Sequence, residues 1–134
     1  MNVVVDTSIW SLALRRSAPV EPAIVGELRA LIAERRAQLL GPIRQEVLSG
    51  IKDGRQFDRL RDHLASFPDL RLDVDDYVLA AAFFNTCRAK GIQGSNTDFL
   101  ICAASASRHL TIFTTDRDFI GYAAELPIAL HQPR

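Results

Sequence analysis

Met1-Asn2-Val3-Val4-Val5-Asp6-Thr7-Ser8 is the stretch whose reading decides the fold. Three consecutive β-branched residues, too few for a helix and bounded by Asn2 and by Asp-Thr-Ser, read as a strand buried on both faces. Strands of that kind belong to parallel sheets, and in open α/β sheets ligands bind outside the carboxyl ends of the strands. Asp6 stands at such an end. Taken alone, it reads equally well as the cap of the helix that follows.

Working outward, residues 7–16 read as a short helix ending in Arg15 and Arg16, and Ser17-Ala18-Pro19 breaks it. From Glu21 to Arg36, Ile24, Leu28, Leu31 and Ile32 recur at helical spacing, with charges on the other face. Residues 38–40 form a second strand, closed by Gly41-Pro42, and the next helix carries Glu46. A helix over 56–66 and a turn at Phe67-Pro68-Asp69 follow, then a short edge strand over 70–72. Further helices span 75–90 and 98–107, the latter capped by Asn96-Thr97 and almost wholly apolar and small, as a helix packed closely on a sheet must be. Strands over 110–114 and 126–130 close the chain, with a turn into a short helix between them. Alternation of helix and strand throughout predicts an α/β sandwich with a largely parallel sheet.

A chain of 134 residues is enough for one domain, 1–134, with a core of its own. Sixteen basic and sixteen acidic side chains cancel, so any nucleic-acid contact must rest on a local patch. Cys87 and Cys102 form no CxxC and have no His at ligand spacing, and read as core residues in a reducing compartment. The start lacks a basic n-region and no apolar run is long enough to span a bilayer, so a cytoplasmic protein without membrane contact is expected. His63, His109 and His131 read as structural or surface residues.

Four acidic residues take comparable places: Asp6 after the first strand, Glu46 on the helix after the second, Asp98 in the first turn of the buried helix, and Asp116 after the strand ending at Thr114. Singly, each reads as a cap, a turn residue or a solvated charge. Together they converge, because the carboxyl ends of parallel strands and the helix starts that follow them share one edge. Clustered carboxylates raise one another's pKa unless a cation neutralises them. Oxygen ligands without paired His or a Cys cluster favour Mg²⁺ or Mn²⁺ over Zn²⁺, and such an ion directs attention to phosphoryl transfer or phosphodiester hydrolysis by water.

These residues also resemble a known family. Val3-Val4-Val5-Asp6-Thr7-Ser8, Gln45-Glu46-Val47-Leu48-Ser49-Gly50, Asp98-Phe99-Leu100-Ile101-Cys102-Ala103-Ala104 and Phe113-Thr114-Thr115-Asp116-Arg117-Asp118-Phe119 are similar, in order, to the four motifs of PIN-domain nucleases, specifically VapC toxins of toxin–antitoxin pairs. The resemblance implies a three-layer α/β/α sandwich around a five-stranded parallel sheet. It implies a Mg²⁺-dependent endoribonuclease, with Mn²⁺ as substitute, in which Asp6, Glu46, Asp98 and Asp116 bind metal and act in catalysis. Thr7, Thr114 and Asp118 would support them, and Arg15, Arg16, Arg44, Lys52 and Arg55 would meet the RNA. A small VapB-like antitoxin would lie in a groove formed by Trp10, Leu14 and the 21–36 helix, and a homodimer would form at the Phe83-Phe84 helix.

Two other classes compete. A receiver domain or a haloacid-dehalogenase-like phosphatase also places Asp after its first strand. The former wants a late Lys, whereas the only lysines are Lys52 and Lys90, and the latter wants a second Asp where Thr7 and Ser8 stand. A PIN fold kept only to bind RNA or a partner would be favoured by loss of an acidic ligand, and all four are present.

Overall fold

The computed structural model describes residues 1–14 and 21–134. Arg15 and Arg16, expected at the RNA, and the break at Ser17-Ala18-Pro19 lie outside the described residues. The elements run β1 (Val3–Val5), α1 (Thr7–Leu14), α2 (Pro22–Ala33), β2 (Ala37–Gln38), α3 (Gly41–Leu48), α4 (Gly54–Leu64), α5 (Val74–Ala89), α6 (Asn96–Arg108), β3 (Thr111–Phe113), α7 (Asp118–Glu125) and β4 (Ala129–Leu130).

All strand pairs are parallel, in the order β2-β1-β3-β4, with Val4 opposite Gln38 on one side and Ile112 on the other. The Val3-Val5 triplet is wholly buried, as the β-branched run requires of an inner strand. From β1 the chain crosses one way to β2 and later returns the other way to β3. Right-handed crossovers in opposite directions put their helices on opposite faces, giving the three-layer sandwich. α1 packs on α2 and α3, whereas α5 packs on α6 and α7. The sheet therefore has its topological switch point between β1 and β3, where ligand clefts form.

The described sheet has four strands rather than five. The 70–72 segment is reduced to a single parallel bridge, Leu39 with Asp69, and a hydrogen bond from Leu70 N–H to the Leu39 carbonyl at 2.8 Å. Pro68 offers no donor before it, and four residues beyond the bridge Asp73 opens α5 in a reciprocal capping box with Asp76, drawing the chain off the edge. The last strand is likewise shorter than expected, because Pro127 leaves only Ala129 and Leu130 paired. α6 is capped by the Ser95 hydroxyl, not by Asn96 or Thr97, and its apolar face meets α5 as well as β3. Phe83 is buried in the core and Phe84 is half-buried edge-on against Phe99, so neither forms an exposed surface. The exposed side of α5 instead carries Val74, Tyr77 and Val78. Cys87 and Cys102 are free and buried, as expected.

One ion pair ties α5 to α6. Arg108 donates to both Asp76 oxygens at 2.7 and 2.9 Å and to the Arg71 carbonyl at 2.6 Å, while Asp76 is almost wholly buried. Hydrogen bonding from Arg108 holds the Asp76 carboxyl well below its usual value, at about 2. A depressed carboxylate pKa contributes stability that is fully present above the unfolded value near 3.8 and is lost as pH falls through about 2. The full linkage is on the order of 2 kcal/mol. Urea unfolding of wild type and Asp76→Asn should therefore show a stability gap at pH 5 that closes toward pH 2. A gap independent of pH would contradict this.

Candidate active site

The carboxyl edge of the sheet opens into a cleft of about 560 Å³ lined by Asp6, Thr7, Ser8, Pro42, Gln45, Glu46, Ser49, Thr97, Asp98 and Asp116. All four acidic residues singled out from the sequence meet here. Asp6 ends β1, Glu46 projects from α3, Asp98 lies in the first turn of α6, and Asp116 follows β3.

Asp6 is the buried member, 6% exposed. Its Oδ1 accepts the Thr7 N–H at 2.8 Å and its Oδ2 accepts the Thr114 hydroxyl at 2.7 Å and the Ser8 hydroxyl at 3.3 Å. Its backbone carbonyl also accepts the first helical N–H groups of α1, from Ile9 and Trp10, so the capping role exists beside the cleft-lining one. Burial pushes the Asp6 carboxyl up, and the nearby Asp98 charge adds to this, against the hydrogen bonds from Thr114, Thr7 and Ser8.

Thr114 holds two of the acidic residues at once, since its Oγ1 also accepts the Asp116 N–H at 2.9 Å. Thr7 supports Glu46, donating from Oγ1 to Oε1 at 2.7 Å. Asp116 Oδ1 accepts the Asp118 N–H at 2.9 Å, which orients the start of α7. Asp98, Asp116 and Asp118 each bring one oxygen to within 4.8 Å of the others. Asp118, expected only as a supporter, thus belongs to the tightest carboxylate group among the described residues.

This donor set fits a hard divalent cation. The three converging groups all offer oxygen, and among the described residues no Lys or Arg lines the cleft to neutralise them. Two oxygens on one Mg²⁺-sized ion at roughly 2.1 Å lie at most about 4.2 Å apart, so oxygens within 4.8 Å of one another need only a small side-chain adjustment, or a bridging water, to share an ion. The positive N-terminal ends of α6 and α7 favour the ionised forms of Asp98 and Asp118, the acidic residues of their first turns.

Two residues that sequence reasoning passed over take part. Ser8 donates to Asp6 and accepts the Thr115 N–H at 3.1 Å, tying the end of β1 to the end of β3. Tyr122, wholly buried, donates its hydroxyl to Asp98 Oδ2 at 2.7 Å. The available signal for Tyr122 was its i+4 spacing from Asp118 on one face of α7.

The basic residues are less gathered. Arg44 is spent on structure, donating to Asp69 at 2.9 Å and to the Leu64 and Phe67 carbonyls. Lys52 and Arg55 are exposed on the α3–α4 side. The expected groove is present as a cavity of about 700 Å³ whose walls include Trp10, Leu14, Val25, Leu28, Ile32 and Phe67. Trp10 and Leu28 serve the core at the same time.

A parallel-sheet α/β fold with a carboxylate cleft at its switch point defines a class of protein built to hold a divalent cation against an anionic substrate. A family model for the PIN domain matches residues 3–125, and the chain belongs to the PIN domain family. A VapC ribonuclease of Mycobacterium bovis is 29% identical over 121 residues, covering 87% of this chain and 88% of that protein. Among solved structures, FitAcB of Neisseria gonorrhoeae superposes with a TM-score of 0.77 at 21% identity, over 98% of this chain and 97% of that one. VapBC2 of Rickettsia felis, bound to a DNA fragment from its promoter, gives 0.75 at 15% identity over 98% of each chain. No helix among the described residues is long and apolar enough to cross a membrane.

Proposed function

We propose that the chain is a metal-dependent endoribonuclease, the toxin of a toxin–antitoxin pair, acting in the cytoplasm with Mg²⁺ or, as substitute, Mn²⁺. The observation that carries this is the cleft itself, where four carboxylates meet with no basic side chain among the described residues to balance them. The ribonuclease relative supports the substrate, and a structural neighbour of the VapBC family of toxin–antitoxin systems, VapBC-5 of Mycobacterium tuberculosis, supports the partner.

Asp98, Asp116 and Asp118 would hold the cation, with Asp6 completing the negative wall behind them. When bound, the ion supplies Lewis-acid polarisation of the scissile phosphate and acidifies the attacking water. Glu46 is exposed and held at one oxygen by Thr7, which leaves Oε2 open to the cleft and suited to take the proton of that water. Lys52 and Arg55, exposed on the α3–α4 side, are the RNA-facing cations on this reading.

The apolar groove beside Trp10 is the seat of the antitoxin segment. The homodimer is assigned to the exposed Val74-Tyr77-Val78 stripe of α5 in place of Phe83-Phe84.

The test is direct. Purified protein should cleave RNA in Mg²⁺, stop on chelation with EDTA and resume on adding excess Mg²⁺ or Mn²⁺. Cleavage indifferent to EDTA would refute the metal assignment.

A further inference from the structure

We infer that Tyr122 is the positioning residue for Asp98, fixing the rotamer in which this carboxylate presents its free oxygen to a divalent cation. The inference rests on the metal reading above and adds to it a residue outside the four motifs.

Asp98 sits in the first turn of α6, where an aspartate side chain has more than one staggered rotamer open to it. Its backbone N–H is taken by the Ser95 hydroxyl at 3.1 Å, but this does not hold the carboxylate. The only hydrogen bond to the carboxylate among the described residues comes from Tyr122, at Oδ2. One oxygen is therefore occupied and the other has no hydrogen bond among the described residues, while one carboxylate oxygen of Asp98 joins the group it forms with Asp116 and Asp118.

Tyr122 is in turn held on every side. Its ring packs against Phe99 at 4.9 Å and Phe119 at 5.0 Å, and the residue is wholly buried. A third observation shows the chain making room for the hydroxyl. A Cβ placed on Gly94 would overlap the Tyr122 hydroxyl and ring and would come within 2.9 Å of Phe99. Gly94 thus leaves the space that the hydroxyl occupies on its way to Asp98. Burial, and then the bond to Asp98, push the phenol pKa far above neutrality, so it stays a donor at any working pH. A buried hydroxyl with one strong acceptor has that acceptor as its role, and partners of metal ligands typically change affinity 10–100-fold.

The experiment compares Mn²⁺ binding, by calorimetry and by loss of free-ion EPR signal, in wild type and Tyr122→Phe without RNA. Tyr122→Phe keeps the ring and removes only the donor. We expect about tenfold weaker Mn²⁺ binding and an activity deficit that high Mn²⁺ rescues, with KM for RNA unchanged. Gly94→Ala, which displaces the same ring, should weaken Mn²⁺ in the same direction. As a readout independent of that variant's folding, Tyr77→Phe leaves Tyr122 the only tyrosine. Adding Mn²⁺ to it should then give a tyrosine near-UV difference spectrum as Asp98 gains a second partner.

Folded Tyr122→Phe binding Mn²⁺ as tightly as wild type overturns this inference alone. So does the absence of the difference spectrum in a Tyr77→Phe protein that binds Mn²⁺. Wild type that binds no Mn²⁺ overturns the metal reading and this inference with it.

Discussion

Asp6→Asn should lose RNA cleavage by roughly 100-fold or more while keeping its fold and its melting temperature. The two halves of this result have different causes. Asp6 is a buried carboxylate whose ionised form is disfavoured by desolvation and by the charge of Asp98, so removing the charge does not cost the fold. An asparagine amide fits the same hydrogen bonds. Its oxygen accepts the Thr7 N–H, and its NH₂ replaces Oδ2 beside Thr114 and Ser8, whose hydroxyls can rotate to accept. What is lost is one negative charge on the cleft wall, and with it part of the field that draws a cation between the carboxylates. Measured together, single-turnover RNA cleavage and thermal unfolding separate the two. Cleavage at the wild-type rate would remove Asp6 from the machinery, and a collapse in melting temperature would show that its role is structural instead.

Trp10→Ala should destabilise the protein by about 3–5 kcal/mol, a large share of the roughly 5–15 kcal/mol typical of a domain. The indole is wholly buried, meets Phe67 edge-on at 5.2 Å, and donates from Nε1 to the Val5 carbonyl at 3.0 Å. That bond pins the end of β1 one residue before Asp6. Truncation thus opens a cavity and strands a carbonyl at the place that sets Asp6. Trp10→Phe keeps most of the volume and loses the bond, so it should cost less, about 1–2 kcal/mol. Chemical unfolding of the pair decides it. Equal losses in the two variants would mean that packing volume is not what Trp10 contributes.

Which parts were legible beforehand follows from how local the signals are. Val3-Val4-Val5 admits no good reading other than an inner strand, and Asp6, Glu46, Asp98 and Asp116 are recognisable because each stands at an element end that sequence pattern can locate. Their meeting in one cleft follows from parallel topology, which makes all carboxyl ends share an edge. Edge pairing was not local. Residues 70–72 alternate as a strand does, yet Pro68 and the Asp73–Asp76 capping box leave a single bridge there.

The sequence by itself therefore determined the α/β class, the four acidic residues that line the cleft and the motif order, because hydrophobic period and turn chemistry are written in neighbouring residues. Only the tertiary structure decided how those acidic residues are held. Tyr122 reaches Asp98 across 24 residues and Thr114 reaches Asp6 across 108, while Arg44 turns to Asp69. Those choices depend on which side chains the packed helices bring within 3 Å, and spacing along the chain carries no record of that.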